Sequence, residues 1–230
     1  MTKLPLLLLP GLLCDATLWA HQRNHLSDLA DIIIPDLNHA SSPDEMVTSV
    51  LDVAPPYFVM VGHSMGGWVA LEVMKKSPKK ILGLGLLNTT ALPDSKQKHD
   101  SRQAMILMAE RGDYVSIIEN LTKLFVYNTT VVHPVKIMLE RNISAFINQE
   151  KAMMARQDCI RVLDFIECPT LIVHSTNDAI FNFDDSQLLA TKIKSATLSR
   201  IENCGHMSPM ESPDQVTQLL KSWLRNISKN

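Results

Sequence analysis

Short runs of apolar residues alternate along the chain with stretches in which apolar residues recur at helical spacing. The apolar runs are continuous, which is typical of strands buried on both faces of a parallel sheet. Strands that alternate with helices predict an α/β fold with a mostly parallel sheet, here of about six strands flanked by helices. The predicted strands occupy residues 4–9, 32–34, 57–61, 81–87, 170–174 and 197–201.

Four stretches between or after these strands predict helices. Each of them links two strands or follows the last strand, so the elements join without a long structureless loop. Pro78 should end the second helix, because proline cannot continue a helical hydrogen-bond ladder. The predicted helices occupy residues 43–53, 65–76, 184–193 and 213–224.

Residues 91–161 interrupt the alternation, since they contain helical periodicity and no strand candidate. A crossover between parallel strands needs only about a dozen residues. We therefore expect a helical insertion that covers a site, although ordinary crossover helices would give the same pattern. The expected organisation is a single domain, 1–230, with a core of 1–90 and 162–230 and a helical cap insertion of about 91–161.

Charge and hydropathy exclude several classes of protein. The chain has 22 basic and 24 acidic residues and a net charge of -2, with no long run of lysine or arginine. This predicts no binding to nucleic acid. Outside the first residues no apolar stretch approaches the length of about 18 residues that a membrane span requires, so no membrane partner is expected. A small-molecule substrate remains, and the oligomeric state is not indicated.

The cysteines and the N-terminal apolar run bear on localisation. The four cysteines have no Cys-x-x-Cys spacing and predict reduced thiols in a cytoplasmic protein. The apolar run before Cys14 raises the alternative of an export signal. Leu13 precedes that cysteine where a small residue would be required, and Pro10-Gly11 breaks the run, so we favour a strand.

The sequence Gly62-His63-Ser64-Met65-Gly66 follows a predicted strand and opens a predicted helix. A sharp turn between the two elements can lift the Ser64 side chain above the sheet, while the helix N-terminus directs N–H groups towards it. The two glycines are expected where a side chain would collide with neighbouring backbone. A serine hydroxyl is a weak nucleophile, so it needs a nearby base.

A carboxylate and a histidine follow at the ends of later strands. Asp178 comes just after the strand at 170–174, and His206 lies in the loop after the strand at 197–201. The carboxyl ends of parallel strands share one edge of the sheet, so Ser64, Asp178 and His206 should meet there. Asp184 and Asp185 are competing acids, which fit better as charges at the start of the next helix.

These motifs resemble the α/β-hydrolase superfamily over residues 4–224, at "GHSMGG", "STND" and "NCGHMSPMESP". The resemblance implies that Ser64 is the nucleophile, His206 the base and Asp178 the acid that orients it. The loop "PGLLCD" is similar to the superfamily's oxyanion loop, with Pro10 in place of the common histidine. This implies that the backbone N–H groups of Leu12 and Met65 bind the oxyanion.

The expected activity is hydrolysis of carboxylic esters through an acyl-enzyme, with no cofactor and no metal. A serine at the nucleophile position disfavours the epoxide hydrolase and dehalogenase branches that the resemblance would otherwise include. Two alternatives stay open: a carbon–carbon bond hydrolase or lyase-like enzyme on the same three residues, and a ligand sensor with slow turnover.

The residues next to the predicted site indicate which substrates it accepts. No lysine or arginine lies within three residues of Ser64, Asp178 or His206, which predicts a preference for uncharged, mainly apolar acyl groups. Four arginines of the insertion could still reach the site. The expected apolar lining is Leu12, Leu13, Met65, Met207 and Met210, and the four arginines are Arg102, Arg111, Arg141 and Arg156.

Overall fold

Six strands form one parallel sheet in the computed structural model, which describes residues 3–228. Their order across the sheet is β2-β1-β3-β4-β5-β6. Residues 1–2 and 229–230 of the predicted domain lie outside the described part. The strands are β1 Leu4–Leu9, β2 Ala30–Ile33, β3 Phe58–His63, β4 Ile81–Leu87, β5 Thr170–Ser175 and β6 Ala196–Ile201.

The central strands are buried on both faces, as their continuous apolar sequences predict. Every residue of β3 and β5 is buried, whereas the edge strands β2 and β6 are partly exposed. The apolar run 4–9 forms β1, which pairs with β2 on one side and β3 on the other. Strand β3 is longer than predicted, because Gly62 and His63 continue the pairing with Leu86 and Leu87 of β4.

Eleven α-helices lie among the described residues, and the four predicted ones are present with ends shifted by at most three residues. Helix α1 was not predicted, because its sequence AHQRNH is polar and buries only Gln22. The helices are α1 Ala20–His25, α2 Pro43–Val53, α3 Met65–Lys76, α4 Lys96–Glu110, α5 Tyr114–Phe125, α6 Val132–Arg141, α7 Phe146–Met154, α8 Ile160–Leu163, α9 Phe183–Lys192, α10 Ser208–Glu211 and α11 Pro213–Ile227.

Two groups of helices flank the sheet. Helix α3 packs on β1, β3 and β4 and contacts α2 and α8, while α9 packs on β5 and β6. Helices α1 and α11 pack against each other. Trp223 and Ile227 of α11 lie against Gly83 of β4, where a Cβ atom would collide with the Ile227 side chain. The missing side chain therefore lets this helix approach the middle of the sheet closely.

The segment between β4 and β5, residues 88–169, contains helices α4 to α8. Their starts follow local signals: the side chains of Ser95 and Asp113 accept hydrogen bonds from the first turns of α4 and α5. Helix α4 packs against α5 and α7, and α5 packs against α6. We call residues 88–169 the helical segment, because they hold no strand of the sheet.

Candidate active site

Ser64 occupies a strained turn between β3 and α3. Its φ is 54° and its ψ is -118°, a left-handed conformation that is unfavourable for a residue with a side chain. The turn is held by the Ser64 N–H, which donates to the Leu87 carbonyl (2.9 Å), and by the Ser64 carbonyl, which accepts from the Thr89 hydroxyl (2.7 Å). Ser64 is half-buried, whereas its neighbours on both sides are buried.

The glycines of the motif allow the backbone of this turn to pack tightly. A Cβ atom at Gly62 would collide with the carbonyl oxygen of Gly66, and one at Gly66 would collide with the carbonyl oxygen of Leu9. Both collisions involve backbone, which cannot move aside as a flexible side chain could. The sequence interpretation of these two glycines is therefore correct.

The structure brings Ser64, His206 and Asp178 together at the carboxyl end of the sheet. The Nε2 atom of His206 lies 2.8 Å from the Ser64 hydroxyl oxygen. The Nδ1 atom of His206 lies 3.0 Å from Oδ2 and 3.1 Å from Oδ1 of Asp178. The rings of Phe125 and Phe181 pack beside His206, with centroids 5.2 and 5.8 Å from its own.

The Asp178 carboxylate is fully buried and has several donors. Besides His206, it accepts hydrogen bonds from the N–H groups of Ile180 (2.8 Å) and Phe181 (3.3 Å) and from the side-chain amide of Asn88 (2.9 Å). Burial alone would raise the pKa of this carboxyl. The charge and hydrogen bond of His206, with the Ile180 and Asn88 donors, outweigh burial and lower the pKa of Asp178 to about 2. Asp178 is therefore ionised at neutral pH.

Two residues that support this arrangement were not predicted in these roles. Asn88 directly follows β4 and has a φ of 48°; its side-chain oxygen accepts from the Ser208 hydroxyl (2.6 Å) while its amide donates to Asp178. The ring of His63 donates from Nε2 to the backbone carbonyl of His206 (2.7 Å). The position of Asn88 directly after a strand was a sequence signal for its role. No sequence signal indicated the contact of His63 with His206, which depends on the fold.

His63 is neutral in the folded protein. Burial lowers its pKa to about 3, with a further contribution from nearby His206. The carbonyl it contacts can only accept, so Nε2 carries the hydrogen, and Nδ1 is buried without a hydrogen-bond partner among residues 3–228. His174, a second histidine at the carboxyl end of a strand, lies buried beside Ser186.

The loop after β1 faces Ser64 and is fixed by the helical segment. Leu13 has a φ of 55°, and its N–H donates to the side-chain oxygen of Gln149 on α7 (2.8 Å). The side-chain amide of Asn142 donates to the Leu13 carbonyl (3.3 Å). Leu12 and Met65 both contribute to the wall of the cavity that contains Ser64. These contacts hold the loop in one conformation.

A cavity of about 450 Å³ opens above Ser64. Its wall comes from the loop after β1, the turn at Ser64, helices α4, α5 and α7, and the residues that follow Asp178. Of the five apolar residues predicted to line the site, Leu12 and Met65 do so, whereas Leu13, Met207 and Met210 pack in or against the core. Further apolar wall residues are Met105, Leu121, Leu124, Phe125, Met153, Ala179, Ile180 and Phe181.

The α4 side of this cavity is charged. Lys98, Arg102 and Glu150 line it, and of these the sequence indicated only Arg102 as a residue able to reach the site. Arg156 lies behind the wall and pairs with Asp94 (2.6 Å). Of the other two candidate arginines, Arg111 follows the end of α4 and Arg141 pairs with Asp15 at the surface. No sequence signal indicated Lys98, because its position depends on how α4 packs.

Glu211 joins the His206 loop to the helical segment. Its carboxylate accepts hydrogen bonds from the N–H groups of Gly205 (3.2 Å) and Met207 (3.0 Å), which flank His206. The same carboxylate accepts from the N–H groups of Tyr127 (3.0 Å) and Asn128 (2.7 Å), just after α5. One buried side chain thus fixes both segments relative to each other.

Other candidate residues have structural surroundings. Asp184 and Asp185 lie in the first turn of α9, as expected, and Asp185 forms a reciprocal cap with Asn182. Cys14 and Cys204 are buried, and burial raises the pKa of both thiols, which disfavours the reactive thiolate. Residues 3–228 contain no cluster of side chains suited to hold a metal ion. None of the described helices is long and apolar enough to cross a membrane.

A parallel sheet of this order, with a serine in a strained strand-to-helix turn, defines an α/β hydrolase. The chain belongs to the alpha/beta hydrolase family, which it matches over residues 6–219. It is 26% identical to (E)-2-((N-methylformamido)methylene)succinate hydrolase of Acinetobacter baylyi, over 96% of this chain and 90% of that one.

Two further relatives are esterases by name. Pimeloyl acyl-carrier-protein methyl ester esterase of Aromatoleum aromaticum is 23% identical, over 77% of this chain and 78% of that protein. A thermophilic esterase of Thermogutta terrifontis, solved with malate bound, superposes with a TM-score of 0.88 at 27% identity. That superposition covers 98% of this chain and 91% of the esterase. The protein is therefore a hydrolase with esterases among its relatives.

Proposed function

We propose that this hydrolase cleaves carboxylic esters of small molecules through an acyl-enzyme on Ser64. The observation that carries the proposal is the hydrogen bond between the Ser64 hydroxyl and His206 Nε2, at the floor of a cavity. A base at this distance can take the hydroxyl proton as the oxygen attacks. The esterases among the relatives support ester substrates.

The first half of the reaction forms the acyl-enzyme. Ser64 Oγ attacks the ester carbonyl carbon while His206 Nε2 takes its proton, and the carbonyl oxygen becomes an oxyanion. The N–H groups of Leu12 and Met65 donate hydrogen bonds to this oxyanion. The protonated His206 then gives its proton to the alcohol oxygen as the ester bond breaks, and the alcohol leaves.

The second half releases the acid. His206 takes a proton from water as the water oxygen attacks the acyl carbon, and the proton returns to Ser64 Oγ as that bond breaks. Throughout, Asp178 accepts from Nδ1–H of His206, which keeps Nε2 free to act as the base. Asp178 carries a negative charge at neutral pH, so it also stabilises the imidazolium ion.

The helical segment acts as a cap that sets the substrate's shape. Its helices α4, α5 and α7 supply half of the apolar residues in the cavity wall. Each buried methylene contributes about 0.8 kcal/mol, so lengthening the acyl chain should raise kcat/KM by up to about fourfold per carbon until the cavity is full. A cavity of about 450 Å³ therefore favours short to medium acyl chains over long-chain triglycerides.

A panel of p-nitrophenyl esters of increasing acyl length tests this function. The Ser64→Ala variant should lose about 10⁴- to 10⁶-fold in kcat while remaining folded. A fluorophosphonate probe should label the parent protein at Ser64 and leave the variant unlabelled. Labelling at another residue would contradict the proposal. A single stoichiometric burst without turnover would also contradict it and would support a ligand sensor.

A further inference from the structure

The charged side of the cavity has cationic groups with unused donors. Arg102 of α4 donates from Nε to Asp94 Oδ2 (2.7 Å) and from Nη1 to Glu150 Oε2 (2.7 Å). Its Nη2 atom forms no hydrogen bond with residues 3–228 and is not sealed from solvent. Because Arg102 lines the cavity, this unused edge of the guanidinium group keeps hydrogen-bond capacity for a ligand.

Lys98 lies one helical turn before Arg102 and also lines the cavity. Its Nζ atom donates to the Ile180 carbonyl (3.2 Å) and lies 4.7 Å from the centre of the Phe181 ring. Among the described residues, no carboxylate oxygen lies within 4 Å of Nζ. Lys98 is exposed as a whole, but partial burial lowers the pKa of its ammonium group, which has no counter-ion in contact among the described residues.

The ion pairs at the cavity wall do not include Lys98. Asp94 and Glu150 pair with Arg102 and Arg156, through three contacts of 2.6 to 2.7 Å. Asp185 is the acid with the largest effect on the Lys98 pKa, but it forms no ion pair with Lys98, and its Oδ1 accepts from the Thr90 hydroxyl (2.7 Å). Among residues 3–228, Lys98 is therefore a cation at this wall without a carboxylate in contact.

Glu150 lines the cavity beside Arg102 and pairs with it through Oε2 (2.7 Å). Its Oε1 atom is buried and has no hydrogen-bond partner among residues 3–228. Burial raises the pKa of Glu150, whereas the charge and the hydrogen bond of Arg102 act in the opposite direction. The ion pair with Glu150 holds the Arg102 side chain at the cavity wall.

We propose that Lys98 and Arg102 bind a carboxylate that the substrate carries away from its scissile ester. A carboxylate has two oxygens that can accept from Lys98 Nζ and the open edge of Arg102, while the apolar wall contacts the chain between the two groups. This inference rests on the proposed esterase function. It revises the expectation of an uncharged acyl group, because that expectation did not include Lys98.

Matched esters test the proposal in the wild-type protein. One pair has a p-nitrophenyl ester of a four- to eight-carbon acyl chain ending in a carboxylate or in its near-isosteric carboxamide. A second pair places the same groups in the alcohol, as acetyl esters of hydroxy acids and hydroxy amides. We expect higher kcat/KM for the carboxylate in one of the two pairs, with an advantage that falls as salt rises. Equal rates in both pairs, or a preference for a terminal ammonium group, would overturn the proposal.

Variants assign the preference to Lys98. In Lys98→Gln the ratio of carboxylate to carboxamide kcat/KM should fall on the order of tenfold, and in Lys98→Glu it should invert. Lys96→Gln is the matched control, because Lys96 is exposed on the same helix and pairs with Asp100 (2.7 Å) away from the cavity. A ratio that Lys98→Glu leaves unchanged would overturn the assignment.

A binding measurement separates this inference from the esterase function. Calorimetric titration of Ser64→Ala with adipic acid monoamide and with adipamide compares a carboxylate with a carboxamide without any turnover. Tighter binding of the monoamide that Lys98→Glu abolishes supports the carboxylate site even if no ester is hydrolysed. Equal binding of both compounds overturns it even if ester hydrolysis is rapid.

Discussion

Polar atoms at the carboxyl edge of the sheet and at the charged wall of the cavity differ in whether the chain supplies their hydrogen-bond partners. At the sheet edge Asp178 is fully buried and has four donor residues, and both ring nitrogens of His206 have partners. On and behind the wall, Glu150 Oε1 and Arg156 Nε are buried without partners among residues 3–228, and Arg102 keeps an unused edge. The hydrogen bonds of Asp178 and His206 are supplied by the chain itself, whereas those of the wall are incomplete.

The difference separates chemistry from substrate choice. Groups whose partners all come from the chain are oriented before any substrate arrives, which is what a proton transfer requires. Accessible groups with unused hydrogen-bond capacity, such as Lys98 and Arg102, can gain partners from a ligand, so they are suited to distinguish one substrate from another. Changes at the sheet edge should therefore reduce turnover of every ester, and changes on the wall should alter the ratio between esters.

After loss of Ser64 itself, the largest expected effect at the sheet edge is the loss of turnover in Asp178→Asn. Loss of the anion that orients His206 should lower kcat by about 10⁴-fold for all esters alike. Asp184→Asn, on the exposed first turn of α9, is the control and should change kcat little. Steady-state measurement of kcat for two esters compares the variants. An inactive Asp184 variant with an active Asp178→Asn would mean that the acid is misassigned.

A smaller effect should follow when the support of the oxyanion loop is removed. Gln149→Leu takes away the acceptor for the Leu13 N–H and so shifts the neighbouring Leu12 N–H. We expect kcat to fall by about 10- to 100-fold with little change in KM, because the oxyanion exists only in the transition state.

Asn38→Ala is the matched control for that experiment. Asn38 accepts from the Gln149 amide (3.1 Å), so its loss spares the bond to Leu13. The two variants should therefore differ in kcat even where urea unfolding gives them similar stability. A Gln149→Leu variant that raises KM and keeps kcat would place this loop with substrate binding instead.

The smallest effect concerns stability rather than rate. Because the folded pKa of His63 is about 3 and its ordinary value is 6.5, the unfolded chain takes up a proton below about pH 6.5 that the folded protein does not. The stability from this histidine is complete above that pH and is lost as the pH falls towards 3. Between about pH 7.5 and about pH 5 the loss should be about 2 kcal/mol.

His63→Gln removes this titration and keeps a donor for the His206 carbonyl. Urea unfolding of the variant should therefore show a smaller loss of stability on acidification than the wild type. His133→Gln, an exposed histidine on α6, is the control and should match the wild type. Identical acid dependence of all three proteins would contradict a buried neutral His63.

The fold and the meeting of Ser64, Asp178 and His206 were predictable because each of these residues follows the end of a strand. A strand that ends in Gly62-His63-Ser64, and loops that directly follow β5 and β6, place these side chains at one edge whatever the rest of the chain does. The helices α2 and α3 were predictable from local sequence too, since proline marks the start of α2 and lies just after α3. Periodicity together with such end signals is enough for these elements.

The wall of the cavity could not be predicted in the same way. Helical periodicity identifies α5 as amphipathic, but it does not give the angles at which helices α4 to α7 cross. Those angles decide that Lys98 reaches the cavity while Arg141 pairs with Asp15 outside it. Helix α1 escaped prediction for a related reason, because tertiary contacts rather than its own apolar residues stabilise it.

The four backbone bonds to Glu211 bear on how such hydrolases could be recombined. The carboxylate holds the loop around His206 and the chain after α5 at once, so this junction couples the two modules. A chimera that takes its helical segment from another hydrolase needs two N–H groups at the positions of Tyr127 and Asn128. Without these two donors the buried Glu211 carboxylate would lack half of its hydrogen bonds, and the loop that carries His206 would be held less firmly. Whether a helical segment can be exchanged therefore depends on this contact rather than on the substrate cavity.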